Sequence, residues 1–127
     1  MSANSQSVSK NDYRIKIEGP TEIRQGEAIP ISGKFRIPFD HSGVLVTGPD
    51  ILKHIVLAVT RSGNYQTSSP FKDVAVFPDD IKKSKKGWTG FFKFNVFNHI
   101  GFAGEGDYYI LCSLGIYTSN IVKIVVI

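Results

Sequence analysis

The chain has 127 residues, a formal net charge of +4, 42% hydrophobic and 20% charged residues. That length bounds it to one domain able to fold without disulfides or metal, and the apolar content excludes a disordered chain. The charge excess permits an anionic partner but is milder than that of nucleic-acid binders, so no specific nucleic acid is expected, and no run reaches the roughly 18 to 20 apolar residues of a membrane span.

Nine Phe and five Tyr beside many Val and Ile, with a single Met, favour strands over helices. The single cysteine, Cys112, leaves no intramolecular disulfide, so the fold rests on packing. The chain opens on a polar segment, read as a flexible tail over residues 1–11 ahead of a domain over 12–127. The tail has no apolar core of a signal peptide, which favours the cytoplasm; secretion is the alternative if a leader was removed. No Asn-X-Ser/Thr sequon occurs.

Tyr13, Ile15 and Ile17 alternate with Arg14, Lys16 and Glu18, the period of a half-buried strand. "GPTEIRQGE" then reads as a turn-rich connector. "AIPISGKFRI" places Ile29, Ile31, Phe35 and Ile37 on one parity, with Gly33 permitting close approach or a bulge. Pro30 sets the start of this strand on an edge or outside the ladder. "ILKHIVLAV" carries Ile55, Leu57 and Val59 on one face and Val56 and Ala58 on the other, as a central strand covered on both sides would.

"FKDVAVF" is a shorter strand. "PDDIKKSKK" begins like a capped helix, but Ile81 is its one apolar residue, so it reads as a solvated connector. "GWTGFFKFNVF" sends Trp88, Phe92, Phe94 and Val96 inward, and Thr89, Phe91, Lys93, Asn95 and Phe97 outward. "DYYILCSL" and "NIVKIVVI" close the series at about seven strands with no convincing helix. Such a series predicts an all-β, antiparallel two-sheet sandwich.

The stretch "GEGDYYILCSLGIYTSNIVKIVV" resembles the last two strands of immunoglobulin-like domains. Gly106-x-Tyr108 leads into Ile110, Cys112 and Leu114, and Ser119-Asn120 into Val122, Ile124 and Val126. The glycine permits a tight entry, and the tyrosine packs its ring while its hydroxyl caps a backbone group. The resemblance is strongest over residues 104 to 126, lacks the Cys-Trp-Cys of antibody domains, and is to disulfide-free sandwiches of bacterial surface and multidomain proteins. It implies adhesion, spacing or partner binding, with no binding residue fixed by a motif.

Chemistry of other kinds finds little support. His41, His54 and His99 show no metal-ligand spacing, and Asp40-His41 and Asp79-Asp80 lack the serial oxygens of a calcium loop, so neither metal nor cofactor is expected. "GFAGEGD" precedes a strand rather than a helix, so it reads as a hairpin turn and not a phosphate loop. Cys112 lies mid-strand on the inward parity, and no Gly-x-Ser-x-Gly elbow exists. An enzyme is not expected.

Two features point to binding. Lys82, Lys83, Lys85 and Lys86 stand beside Trp88, whose parity sets its ring with the core. Phe91 and Phe97 lie on a polar parity and are joined by Phe102 in the next loop, as on a surface covered by an extra strand, the N-terminal tail or a partner. The leading expectation is a non-catalytic interaction module engaging a protein partner or another copy of itself. The alternatives are a lectin-like or polyanion-binding module using the basic-aromatic segment, where a carbohydrate or polyanion is the partner, and a structural subunit assembling through edge strands such as "NIVKIVVI".

Overall fold

The computed structural model describes residues 14–38, 48–73, 81–83 and 87–127. The expected tail over 1–11, Lys85 and Lys86, the acids at 40, 79 and 80, His41 and the second half of "FKDVAVF" lie outside the described residues. Among the described residues there are ten strands and two 3-10 turns.

The strands are β1 (Ile15–Glu18), β2 (Glu22–Ile23), β3 (Pro30–Pro38), β4 (Ile55–Arg61), β5 (Asn64–Ser68), β6 (Ile81–Lys83), β7 (Gly87–Asn95), β8 (Gly106–Leu114), β9 (Tyr117–Thr118) and β10 (Val122–Val126). They form two sheets. The smaller runs β1-β3-β7-β6, and the larger runs β2-β10-β8-β4-β5 with β9 paired to β8. The architecture is an all-β sandwich of two sheets. Here β2 pairs in parallel with β10 at Val125 and Val126, whereas the other pairings are antiparallel.

Alternation builds the core. Ile15, Ile17, Ile31, Phe35, Ile37 and Phe92 from the smaller sheet meet Leu57, Val59, Ile110, Cys112, Leu114 and Ile124 from the larger, all buried. Each such aliphatic side chain stabilises the fold by about 1.5–3 kcal/mol relative to exposure, before ordering costs. Ile51 and Leu52, on the 3-10 turn Gly48–His54 that leads into β4, are buried in the same core. At Gly33 an added Cβ would run into the Phe92 ring, so the ring occupies the space of the missing side chain. The close approach expected of that glycine is to an aromatic ring across the ladder, where Gly33 and Phe92 are register partners.

A tight hairpin joins β4 to β5 at one edge of the larger sheet. Ser62 and Gly63, both at positive φ, turn β4 into β5, the backbone that a two-residue hairpin matches to strand twist. Pro30 opens β3 opposite Asn95 and has no partner in β1, consistent with its missing donor.

Several expectations are corrected. Residues 81–83 are an edge strand rather than a connector, held by pairing of Ile81 with Gly90 and buried at Ile81. Phe71 to Asp73 lie in a turn, where Phe71 sets its edge against Phe92 and Phe94. The outer side of β4 is not covered, since Val56 is 37% exposed. The closing strand β10 lies between β2 and β8 rather than at a sheet edge, and Ile127 N–H donates to the Ile23 carbonyl beyond it.

Candidate functional site

The end of β7 determines where two of the predicted aromatics go. Asn95 Oδ1 accepts from the N–H of Ile29 at 3.0 Å and of Phe97 at 3.3 Å, which stops the strand and starts the 3-10 turn Val96–Asn98. Alternation ends there, so Phe97 does not follow the outward parity expected of it. Its ring stands edge-on to Tyr108 at 5.8 Å, and Phe102 stacks on the same ring at 6.2 Å. Both are half-buried against the core.

Tyr108 is the post they brace. Its ring is fully buried, while its hydroxyl donates to the Gly104 carbonyl at 2.8 Å, the corner contact expected of Gly106-x-Tyr108. Gly104 and Gly106, at φ of 113° and 135°, give the loop the backbone this return needs. Arg61 lies 5.8 Å over the ring and donates Nε–H to the Glu105 carbonyl. Burial pushes the phenol pKa up, opposed by the Arg61 charge.

The signature Ser119-Asn120 is structural as well. Ser119 Oγ accepts from Cys112 N–H and donates to the Asn120 carbonyl. The Asn120 amide accepts from Ile17 N–H at 2.9 Å and donates to the Ile17 carbonyl at 3.0 Å, as a paired strand would. One side chain from the connector between β9 and β10 thereby pairs with the outer edge of β1.

The titratable side chains described in the interior are packed into the core. Cys112 is buried and its thiol is pushed up to about 12 by burial, so it is protonated at neutral pH. His99 packs against Phe94 at 5.7 Å, and burial lowers its pKa. Among the described residues no three His, Cys, Asp or Glu side chains group to hold a metal. Among them, too, no helix is long and apolar enough to cross a membrane, which leaves β-barrels unaddressed.

Among the described residues the two outer sheet faces are opposite in character. On the larger sheet the register sets Tyr65, Thr60 and Tyr109 in one row, and Thr67, Ala58 and Leu111 in the next, with Val56 beside Ser113. None carries a charge. Tyr65 is 66% exposed, Tyr109 42% and Val56 37%, and Ile121 and Ile116 are exposed nearby. Charge returns at the rim, where Lys123 pairs with Asp107 at 3.8 Å and lies 6.0 Å over the Tyr109 ring.

On the smaller sheet Phe91, 63% exposed, is surrounded by cations from three strands. Of the predicted partner-binding residues, then, Phe91 and Lys82 share this face, and Lys83 follows Lys82 on the edge strand opposite Trp88. Phe97 and Phe102 lie elsewhere, at the Tyr108 corner, and Lys85 and Lys86 are outside the described residues. Sequence reading missed Lys34, Arg36 and Lys93, which only strand register brings beside Phe91. It also missed the uncharged face, whose members come from β4, β5 and β8.

No family model matches this chain, and no curated protein matches it. Among solved structures, a solution structure of the CARDB domain of PF1109 from Pyrococcus furiosus is 13% identical, over 89% of this chain and 92% of that one, with a TM-score of 0.42. A crystal structure of the same domain in complex with di-metal ions is 14% identical, over 88% and 89%, with a TM-score of 0.43. The sulfur carrier protein SoxY from Chlorobium limicola f thiosulfatophilum is 12% identical, over 90% and 79%, with a TM-score of 0.35.

Proposed function

We propose that this chain is a non-catalytic interaction module that engages a protein partner through the outer face of its larger sheet, with a second copy of the chain as the simplest partner. The observation that carries this is the uncharged field across β5, β4 and β8, where Tyr65 and Tyr109 flank Thr60 and Val56 is exposed. Protein interfaces are depleted of charge at their centres and enriched in tyrosine, with polar groups at the rim. The Asp107–Lys123 pair supplies such a rim. An uncharged face also lets two copies of a chain of charge +4 meet without placing cations opposite one another. A two-fold pairing would set each copy's patch against the same patch of the other.

The test is sedimentation velocity over a wide concentration range, with Tyr109→Lys and Val56→Lys as variants. Wild type is expected to show a concentration-dependent dimer and each variant a monomer. A wild type that stays monomeric throughout would remove the second copy as partner, and a dimer indifferent to both variants would move the interface off this face.

A further inference from the structure

The other outer face has a different and more specific chemistry. Strand register lays Lys16, Lys34 and Phe91 side by side across β1, β3 and β7, with Glu18, Ser32 and Lys93 in the next row and Arg36, Thr89 and Lys82 in the row on the other side. Neighbouring strands are about 4.8 Å apart and same-face residues along a strand about 7 Å apart, so the cations form a repeating array. Among the described residues none of Lys34, Arg36, Lys82 and Lys93 forms a salt bridge. Between Lys34, Phe91 and Lys93 the short Ser32 leaves a groove of about 330 Å³, which Lys16 and Glu18 also line.

We propose that this groove binds an acidic polysaccharide, a chain of sugar rings bearing carboxylate or sulfate groups. Three observations select that class. The groove crosses the face of the sheet, where the backbone of β3 is already paired on both sides, so a ligand is recognised by side chains alone. An acidic peptide recognised by strand addition needs a free edge instead. The cations are mainly lysines, swivelling point charges that can follow anionic groups spaced along a flexible polymer, without the fixed fork geometry that arginine brings to a carboxylate or phosphate.

The third observation is the mixture. One exposed ring, Phe91, offers a flat apolar face to one pyranose ring, whereas single-stranded nucleic acid is held by stacking successive bases on several aromatics. Glu18 and Ser32 supply an acceptor and a hydroxyl inside a cationic groove. A carboxylate there opposes a pure polyanion, yet it accepts hydrogen bonds from sugar hydroxyls. This site lies on the sheet opposite the proposed protein interface and does not depend on it.

Titration calorimetry with a heparin oligosaccharide and an oligogalacturonate tests the site, using the double variant Lys34→Ser/Lys93→Ser, the single variant Phe91→Ser, and Arg24→Ser/Lys72→Ser, both exposed and off this face, as a control of equal charge change. The lysine pair is expected to weaken binding by at least about tenfold and to lower the salt slope by about one per lysine. Phe91→Ser is expected to weaken binding with the salt slope intact, and Phe91→Tyr to restore it. Thermal melting checks that each variant is folded. Equal loss in the control pair, indifference to Phe91→Ser, or no binding of either saccharide would overturn the proposal. So would polyglutamate or oligothymidylate binding as tightly as the saccharides, which would assign the groove to an acidic peptide or a nucleic acid.

Discussion

Tyr108 joins burial to a hydrogen bond in one side chain, and the two can be separated. Replacing it with Phe keeps the ring between Phe97 and Phe102 but removes the donor to the Gly104 carbonyl. The expected cost is about 1 kcal/mol, read as a lower urea midpoint with an unchanged slope. An unchanged midpoint would mean that the corner is held by packing alone. Cys112 gives a pH prediction. Its folded pKa of about 12 lies above the ordinary 9.0, so the neutral thiol favours the folded state at and below pH 9. That contribution is lost as pH rises from 9 toward 12, because the unfolded chain releases the proton first. Cys112→Ala is expected to lose less stability than wild type over that interval, and the native thiol to resist alkylation at pH 8 until the chain unfolds. Parallel alkaline limbs in the two proteins would contradict this.

Among the elements, Asn120 and β1 carry the clearest prediction. The Asn120 amide meets both backbone groups of Ile17, so Asn120→Ala leaves a half-buried donor and acceptor without it. A loss of about 1–3 kcal/mol is expected, with faster amide exchange at Ile17 than at Phe35 on the neighbouring strand. Equal protection at Ile17 in variant and wild type would contradict the pairing role. The strands rich in alternating Ile, Val and Phe were legible in the chain, because burial of one face writes a period of two into β1, β3, β7, β8 and β10. Strand β5 was not legible, since Asn64–Ser68 is polar on both parities and lies at an edge, although Ser62-Gly63 signals its hairpin. Strand β6 was missed for a related reason: Ile81 alone faces the core, and pairing with β7 rather than its own pattern makes it a strand. Phe97 was misplaced because periodicity cannot register the Asn95 side chain that ends β7.

For the molecule as a whole, the candidate surfaces were less legible than the fold. Both are assembled by register between distant segments, so Lys34 with Phe91 and Thr60 with Tyr65 and Tyr109 become neighbours only once the sheets exist. The local cluster around Lys82 was a pointer to one of them, and Phe91 to the same one. The result is a sandwich whose outer faces differ in chemistry, one uncharged and aromatic, the other basic around a single ring. The most direct test of the interface is an amide chemical-shift dilution series on the wild-type chain. Concentration-dependent changes are predicted to cluster in residues 56–60, 65–67 and 109–113, with β3 and β7 unaffected. Shifts that do not depend on concentration, or that cluster on β3 and β7, would contradict self-association through the larger sheet.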